Sequence, residues 1–159
     1  MEKKKYTGIP PIAVVVIVLA VVALVGSRLW ERSVRTPAAD PAQASAVDAV
    51  VEQLDAEVSQ AYDNYEIAVT DDPVGVVLYL WQDGLAIEAA KAKDGLEPYK
   101  SQWQLTVSNM LTLSKTVQAR FDEAGVDVST TVCIRNDLNK EAVLFAAHDG
   151  SVILDAVLG

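Results

Sequence analysis

The stretch AVLFAAHDGSVILDA at residues 142–156 decides the fold of the C-terminal part of this chain. Apolar residues alternate with others on both sides of Asp149-Gly150, and this period of two is typical of strands with one buried face. Asp-Gly between two such runs is the strongest short-range signal for a tight hairpin. The predicted faces are Ala142, Leu144 and Ala146 in the first strand and Val152, Leu154 and Ala156 in the second.

Two further strands are predicted before this hairpin. One face of the strand immediately before it consists of Val128, Val132 and Ile134. Residues 74–81, VGVVLYLW, are rich in β-branched and aromatic side chains and lie between a proline and a turn at 82–84. This composition and length favour a short buried strand.

Three helices complete the predicted domain. The first begins at Ser45, which resembles a capping box with Asp48, and its apolar stripe continues at helical spacing until Asp71-Asp72-Pro73. A short second helix covers about 85–93, and a long third helix follows Pro98. The predicted order is α-β-α-α-β-β-β, an α+β fold in which helices cover one face of a mostly antiparallel sheet.

The N-terminal part differs sharply in composition from the rest. Residues 9–25, IPPIAVVVIVLAVVALV, contain no charged or amide side chain, and Gly26 and Ser27 extend the uncharged run. About 18 helical residues at about 1.5 Å each match the hydrocarbon thickness of a bilayer, so an uncleaved transmembrane helix is predicted at 9–27. A cleaved signal peptide is the alternative, although its apolar run is usually shorter and ends at a small-x-small site. The predicted parts are a basic cytoplasmic tail at 1–8, the anchor at 9–27, a linker at 28–44 and an acidic domain at 45–159.

Charge is distributed unevenly along the chain. Residues 1–35 contain six Lys/Arg and two Asp/Glu, a net charge of +4, whereas residues 36–159 contain seven and twenty, a net charge of −13. An acidic domain is repelled by phosphate backbones, so nucleic-acid binding is not expected. Three lysines before the anchor and three arginines after it leave the positive-inside count tied. The large acidic body after the anchor favours a C-terminal domain outside the cytoplasm.

Few residues could support catalysis or metal binding. Cys133 is the only cysteine and His148 the only histidine, so the chain can form neither an internal disulfide nor a two-histidine metal site. The run from Asp137 to Glu141 places oxygen atoms at alternate positions, as the start of a calcium loop does, but the glycine and the final glutamate of such a loop are missing. No phosphate loop, nucleophile elbow or dinucleotide fingerprint occurs. The chain is therefore predicted to be a non-enzyme that needs no cofactor.

Aromatic residues offer a different kind of candidate site. Trp81, Trp103, Tyr79 and Tyr99 lie near the ends of predicted elements, and those that stay exposed would form a patch for a partner. Core packing is the alternative use. We take Trp81, Trp103 and Tyr99 as candidates for a ligand or partner surface. A ligand pocket would lie between the sheet and the long helix, around Trp103.

The pattern Asn136-Asp137-x-Asn139, then Val143-Leu144, then Asp149-Gly150-x-Val152 before Asp155, resembles a group of short membrane-anchored proteins of Gram-positive bacteria. The similarity covers the chain from about Trp81 onward. It implies an architecture and a cell-surface context, and it assigns neither an activity nor site residues.

A second likeness is to type IV pilins and pseudopilins, which have a basic leader ending in glycine, a hydrophobic helix and then a β-meander. The segment from Lys3 to Gly8 corresponds to such a leader. The acidic residue expected five positions after the cleavage point is Ala13 here, and the prolines at 10, 11, 37 and 41 interrupt a continuous helix.

These features favour a membrane-anchored, extracytoplasmic, non-enzymatic module that contacts a protein of the cell envelope. A small-ligand-binding or sensing domain is the first alternative. A pilin-like subunit is the second.

Overall fold

A computed structural model describes residues 41–71 and 74–159 of the chain. The predicted tail, the predicted anchor at 9–27 and the leader-like segment of the pilin likeness all lie outside these residues. Within the described part of the chain, no helix is both long and apolar enough to cross a bilayer. The described residues belong to one compact unit.

Three helices and five strands make up the described chain. The helices are α1 (Pro41–Ala61), α2 (Leu85–Lys93) and α3 (Tyr99–Glu123). The strands are β1 (Tyr65–Asp71), β2 (Val74–Leu80), β3 (Ser129–Asn136), β4 (Asn139–His148) and β5 (Ser151–Asp155).

The five strands form one mixed sheet in the order β1-β2-β3-β4-β5. Strands β2 and β3 are parallel, with a register that runs from Gly75 opposite Ser129 to Leu80 opposite Ile134. The other three neighbouring pairs are antiparallel. The two helices α2 and α3 form the crossover that parallel pairing requires. The predicted α+β class and the mostly antiparallel sheet are therefore confirmed.

Strand β1 corrects the predicted order, because the sequence was interpreted as helix up to Asp71. Helix α1 instead ends at Ala61, and the chain bends at Asp63 and Asn64 before it enters β1. The segment YEIAVTD alternates, with Tyr65 and Ile67 packed against the core, so it fits a strand that pairs along β2. The observed order is α-β-β-α-α-β-β-β.

The other predicted elements are present with small changes of boundary. Helix α2 covers the predicted residues, α3 begins directly after Pro98, and the β4–β5 turn lies at Asp149-Gly150. Helix α1 begins at Pro41, so the last four residues of the predicted linker are helical and Ser45 lies inside the helix.

One hydrophobic core lies between the helices and one face of the sheet. Alternate residues of β2, β3 and β4 point into it, among them Leu78, Val132 and Phe145, which are fully buried. Helices close it from the other side with Val47, Leu54, Trp103, Val117 and Phe121. Each large apolar side chain buried in this way contributes about 1.5–3 kcal/mol.

Candidate functional site

The sheet has a second face on which no described helix packs. One row of residues on this face crosses all five strands by direct pairing: Glu66, Tyr79, Cys133, Ala146 and Leu154. The next row along the strands consists of Ala68, Val77, Thr131, His148 and Ser151. We call the surface formed by these two rows, together with Trp81 and Arg135, the open face.

The open face is apolar along its middle. Cys133 and Ala146 are only 6% and 3% exposed, yet neither belongs to the core beneath the helices. Val77 and Tyr79 beside them are half-buried. A sheet that shows one face to water normally carries polar residues there, whereas apolar residues on both faces are typical of a sheet covered on both sides.

One end of the open face combines aromatic rings with cations. The Arg135 guanidinium carbon lies 3.6 Å from the centroid of the Tyr79 ring, and the same side chain is paired with Glu66. The Lys140 Nζ lies 4.4 Å from the centroid of the Trp81 ring. Cations over aromatic faces at these distances are attracted by the ring quadrupole. We call this the aromatic end.

The opposite end of the open face is the hairpin end, at the β4–β5 turn. Here His148 Nδ1 lies 2.9 Å from the Thr131 hydroxyl, and His148 Nε2 lies 3.3 Å from Asp149 Oδ2. The other Asp149 oxygen accepts the Thr130 backbone N–H at 2.7 Å. The Asp149 side chain is 43% exposed. This end therefore presents a carboxylate to the surroundings.

Thr131, His148 and Asp149 form a chain of hydroxyl, imidazole and carboxylate. Triad hydrolases have the same order of groups. Sequence reasoning missed the hydroxyl partner of His148, because Thr131 reaches it only through the pairing of β3 with β4. Acyl transfer also needs a substrate cleft and a preorganised oxyanion site. Neither of the two cavities beside the helices is lined by Thr131, His148 or Asp149. The contacts among these three residues hold the β4–β5 turn against β3.

Cys133 lies in the centre of the open face and is chemically quiet. Burial raises the pKa of its thiol to about 12, against a lowering by the Arg135 charge. The thiol is therefore protonated near neutral pH, and a protonated thiol is neither a nucleophile nor a metal ligand.

The three aromatic residues predicted as a surface do not lie together. Trp103 is 3% exposed, and its indole Nε1 donates to Asp155 Oδ1 at 3.1 Å. Tyr99 is half-buried, and its hydroxyl lies 3.1 Å from Lys91 Nζ. Trp81 follows β2 with its ring near Lys140, so the sheet separates it from the other two. The structure therefore brings Tyr99 and Trp103 together and puts Trp81 on the open face.

Two cavities adjoin the helices. Tyr99 and Trp103 line one of about 20 Å³ between α2 and α3, which has room for about one water molecule. A groove of about 350 Å³ lies between α1 and α3. Arg120 and Glu57 line this groove and form an ion pair at 2.9 Å. The larger space is thus remote from the pocket predicted around Trp103.

The residues that resembled a calcium loop support the fold in another way. Asp137 accepts the backbone N–H of Gly84 at 2.8 Å and that of Ala86 at 2.7 Å, which caps the start of α2. Desolvation raises the pKa of Asp137, but the N–H groups of Ala86, Gly84 and Asp137 itself outweigh it, and the pKa is lowered. Asn136 accepts the N–H groups of Leu138 and Asn139 in the turn that follows. No group of three potential metal ligands occurs among residues 41–71 and 74–159.

No family model, curated protein or solved structure matches this chain. The resemblance to membrane-anchored proteins of Gram-positive bacteria stays a prediction from sequence.

Proposed function

We propose that this chain is a membrane-anchored, extracytoplasmic interaction module without catalytic activity, and that the open face is its contact surface. The apolar middle of that face carries the proposal. Val77, Tyr79, Cys133 and Ala146 place apolar or aromatic groups where a solvated sheet would carry polar ones. Cys133 and Ala146 are already buried, so a partner that covered this face would remove the remaining exposed surface of Val77 and Tyr79 from water, at about 25 cal/mol per Å².

The described part of the chain begins on the helical side of the sheet. Helix α1 packs into the core through Val47 and Leu54, and Gln43 near its start donates to the Asp127 carbonyl at 3.3 Å. The chain therefore enters the domain at Pro41 on the helical side of the sheet.

Topology is the first test of the membrane and extracytoplasmic part of the proposal. In intact cells, the variant with Cys133→Ser and Gly159→Cys is treated with a membrane-impermeant maleimide. We expect labelling before lysis, with a known surface thiol as the positive control. Labelling only after lysis would place the domain in the cytoplasm and overturn this part.

Occupancy of the open face is the second test. The variant with Cys133→Ser and Val77→Cys keeps a small side chain in the middle of β2. We expect a permeant maleimide to label it slowly in native membranes and faster after solubilisation and dilution. The matched control is Cys133→Ser with Ser108→Cys, which places the thiol at an exposed position of α3 and should be labelled equally fast in both states.

A small-ligand-binding role has an observation of its own, the groove between α1 and α3. Its volume of about 350 Å³ falls at the lower end of the range of about 300–1,000 Å³ for ligand sites. A metabolite bound there should raise the melting temperature of the full chain, and Arg120→Ala should abolish the rise. A broad metabolite screen without any shift would count against this role.

A further inference from the structure

We infer that the partner on the open face is a second copy of this chain, packed face to face with its strands antiparallel to those of the first. The inference rests on the proposed function, because it names the partner of the same surface. The charge of the face and the confinement of two copies to one membrane support it.

The charge of the domain limits how two copies can meet. Residues 36–159 carry a net charge of −13, so most surfaces of two copies repel each other. In the row that crosses the open face, Glu66 is the only charged residue, and it is already paired with Arg135 of its own chain. This face therefore lets two acidic domains approach with little repulsion.

The two ends of the open face are complementary to each other. Lys140 lies at the aromatic end, and the partly exposed Asp149 carboxylate lies at the hairpin end. A two-fold axis in the plane of the interface and perpendicular to the strands places the aromatic end of one copy over the hairpin end of the other. The same axis repeats this contact, so Lys140 of each copy lies near Asp149 of the other.

The size of the face allows only a weak dimer. Five strands about 4.8 Å apart and about seven residues long at about 3.3 Å each give a flat area of about 500 Å². Stable specific interfaces bury about 600–1,000 Å² on each partner, so the flat area lies below that range. A weak dimer in dilute solution is therefore expected.

A shared membrane would compensate for the weak affinity. The 13 residues from Arg28 to Asp40 separate the predicted anchor from α1, and they reach at most about 45 Å when fully extended. Two anchored copies are held in one plane within that reach, which raises their effective concentration.

Cross-linking in native membranes tests the inference. The full chain with Cys133→Ser and Val77→Cys is treated with a bis-maleimide whose spacer is about 10 Å, the separation of packed sheets. We expect a product of twice the monomer mass, with a yield about tenfold above that of the Ser108→Cys control, because only the face position is held next to its counterpart. Ala68→Cys, directly opposite Val77 in β1, is a second reporter if the first variant misfolds.

Charge variants test the orientation of the two copies. Lys140→Glu and Asp149→Asn should each lower the yield of the cross-linked dimer several-fold at low salt and less at high salt. Asparagine keeps an oxygen for the Thr130 N–H and tolerates the positive φ of 46° at this position. Unchanged yields in both variants would overturn the antiparallel arrangement.

The outcomes separate the two proposals. A dimer product at the face positions alone supports self-association. A face thiol that is protected from labelling but gives no dimer product overturns self-association and leaves the contact-surface proposal standing. A face thiol labelled as fast in membranes as after solubilisation and dilution overturns both.

Discussion

The hydroxyl oxygen of Ser114 in α3 accepts a hydrogen bond from the backbone N–H of Gly150, with 3.1 Å between the two atoms. Ser114 is 0% exposed. Four residues along the same helix, Gln118 accepts the buried Thr130 hydroxyl at 2.8 Å. These two contacts fix the β4–β5 turn and the start of β3 against α3.

Ser114→Ala should destabilise the fold, because it removes the acceptor of the part-buried Gly150 N–H. We expect the free energy of unfolding to fall by about 1–3 kcal/mol. Urea denaturation of the full chain in detergent, followed by tryptophan fluorescence, measures it. The matched variant Ser108→Ala on the exposed side of α3 should change it by less than about 0.5 kcal/mol. Equal effects of the two substitutions would contradict the role of Ser114.

Gly150→Ala should destabilise the turn for two reasons. Gly150 has a φ of 72°, and an added Cβ would lie 2.7 Å from Cγ of Lys115. A left-handed alanine alone costs about 1–3 kcal/mol. Lys115→Ala in the same chain removes the steric conflict and not the backbone strain, so the double variant should recover only part of the loss. Full recovery would show that strain at Gly150 contributes nothing.

Asp137→Ala should lower the stability by about 1–2 kcal/mol at pH 7, through loss of the cap on α2. Its folded-state pKa is lowered, so its contribution is complete above the unfolded-state value of about 3.9 and is lost as the pH falls through the folded-state value. The difference in free energy of unfolding between wild type and variant should therefore disappear in strong acid. Urea denaturation at several pH values measures the gap.

The control for Asp137 is Asp83→Ala, which removes an exposed carboxylate beside the same helix start. Its effect should be smaller at pH 7. A gap between wild type and Asp137→Ala that stays constant down to strong acid would contradict a role for the ionised carboxylate.

Cys133 should resist alkylation while the chain is folded. A thiol with a pKa of about 12 is almost entirely protonated at pH 8, and only the thiolate reacts. We expect the native labelling rate with a maleimide to lie about 100-fold or more below the rate in urea. Equally fast labelling of the native and the unfolded chain would show that the open face does not protect this residue.

Substituting two tryptophans separately should distinguish core from surface. Trp103→Phe removes the donor to Asp155 and part of the core, and we expect a loss of about 1–3 kcal/mol. Trp81→Phe should lose only about 0.5–1 kcal/mol, since it weakens the contact with Lys140. Urea denaturation compares the two. A loss for Trp103→Phe equal to or smaller than that for Trp81→Phe would contradict a core role for Trp103.

Strand β1 shows one limit of prediction from this sequence. Ala61, Tyr62 and Tyr65 continue the helical spacing of α1, while Tyr65, Ile67 and Val69 have the spacing of a strand. The two periods overlap, and only pairing with β2 decides between them. Elements with a single period and clear turn residues, such as β2, α2 and the β4–β5 hairpin, were predicted correctly.

The open face shows a second limit. The composition of 74–81 indicated a strand that is apolar on both faces, which agrees with the sheet. The contact of Tyr79 in β2 with Arg135 in β3, however, depends on the parallel register of the two strands. Local sequence does not encode that register. Trp81 and Trp103 looked alike in the sequence. The sheet lies between them in the fold, and this separation cannot be read from the residues around each one.

The single parallel pairing in the sheet has a consequence for how the chain folds. Strands β1–β2 and β3–β4–β5 pair with neighbours in sequence, whereas 48 residues separate the end of β2 from the start of β3. Pairing across so long a segment is slow, because the entropy of closing the loop is lost before the contacts form. We expect the two local groups of strands to form first and the β2–β3 pairing last. Since that step joins Tyr79 to Cys133, the proposed contact with a second copy would form only after the sheet of each chain is complete.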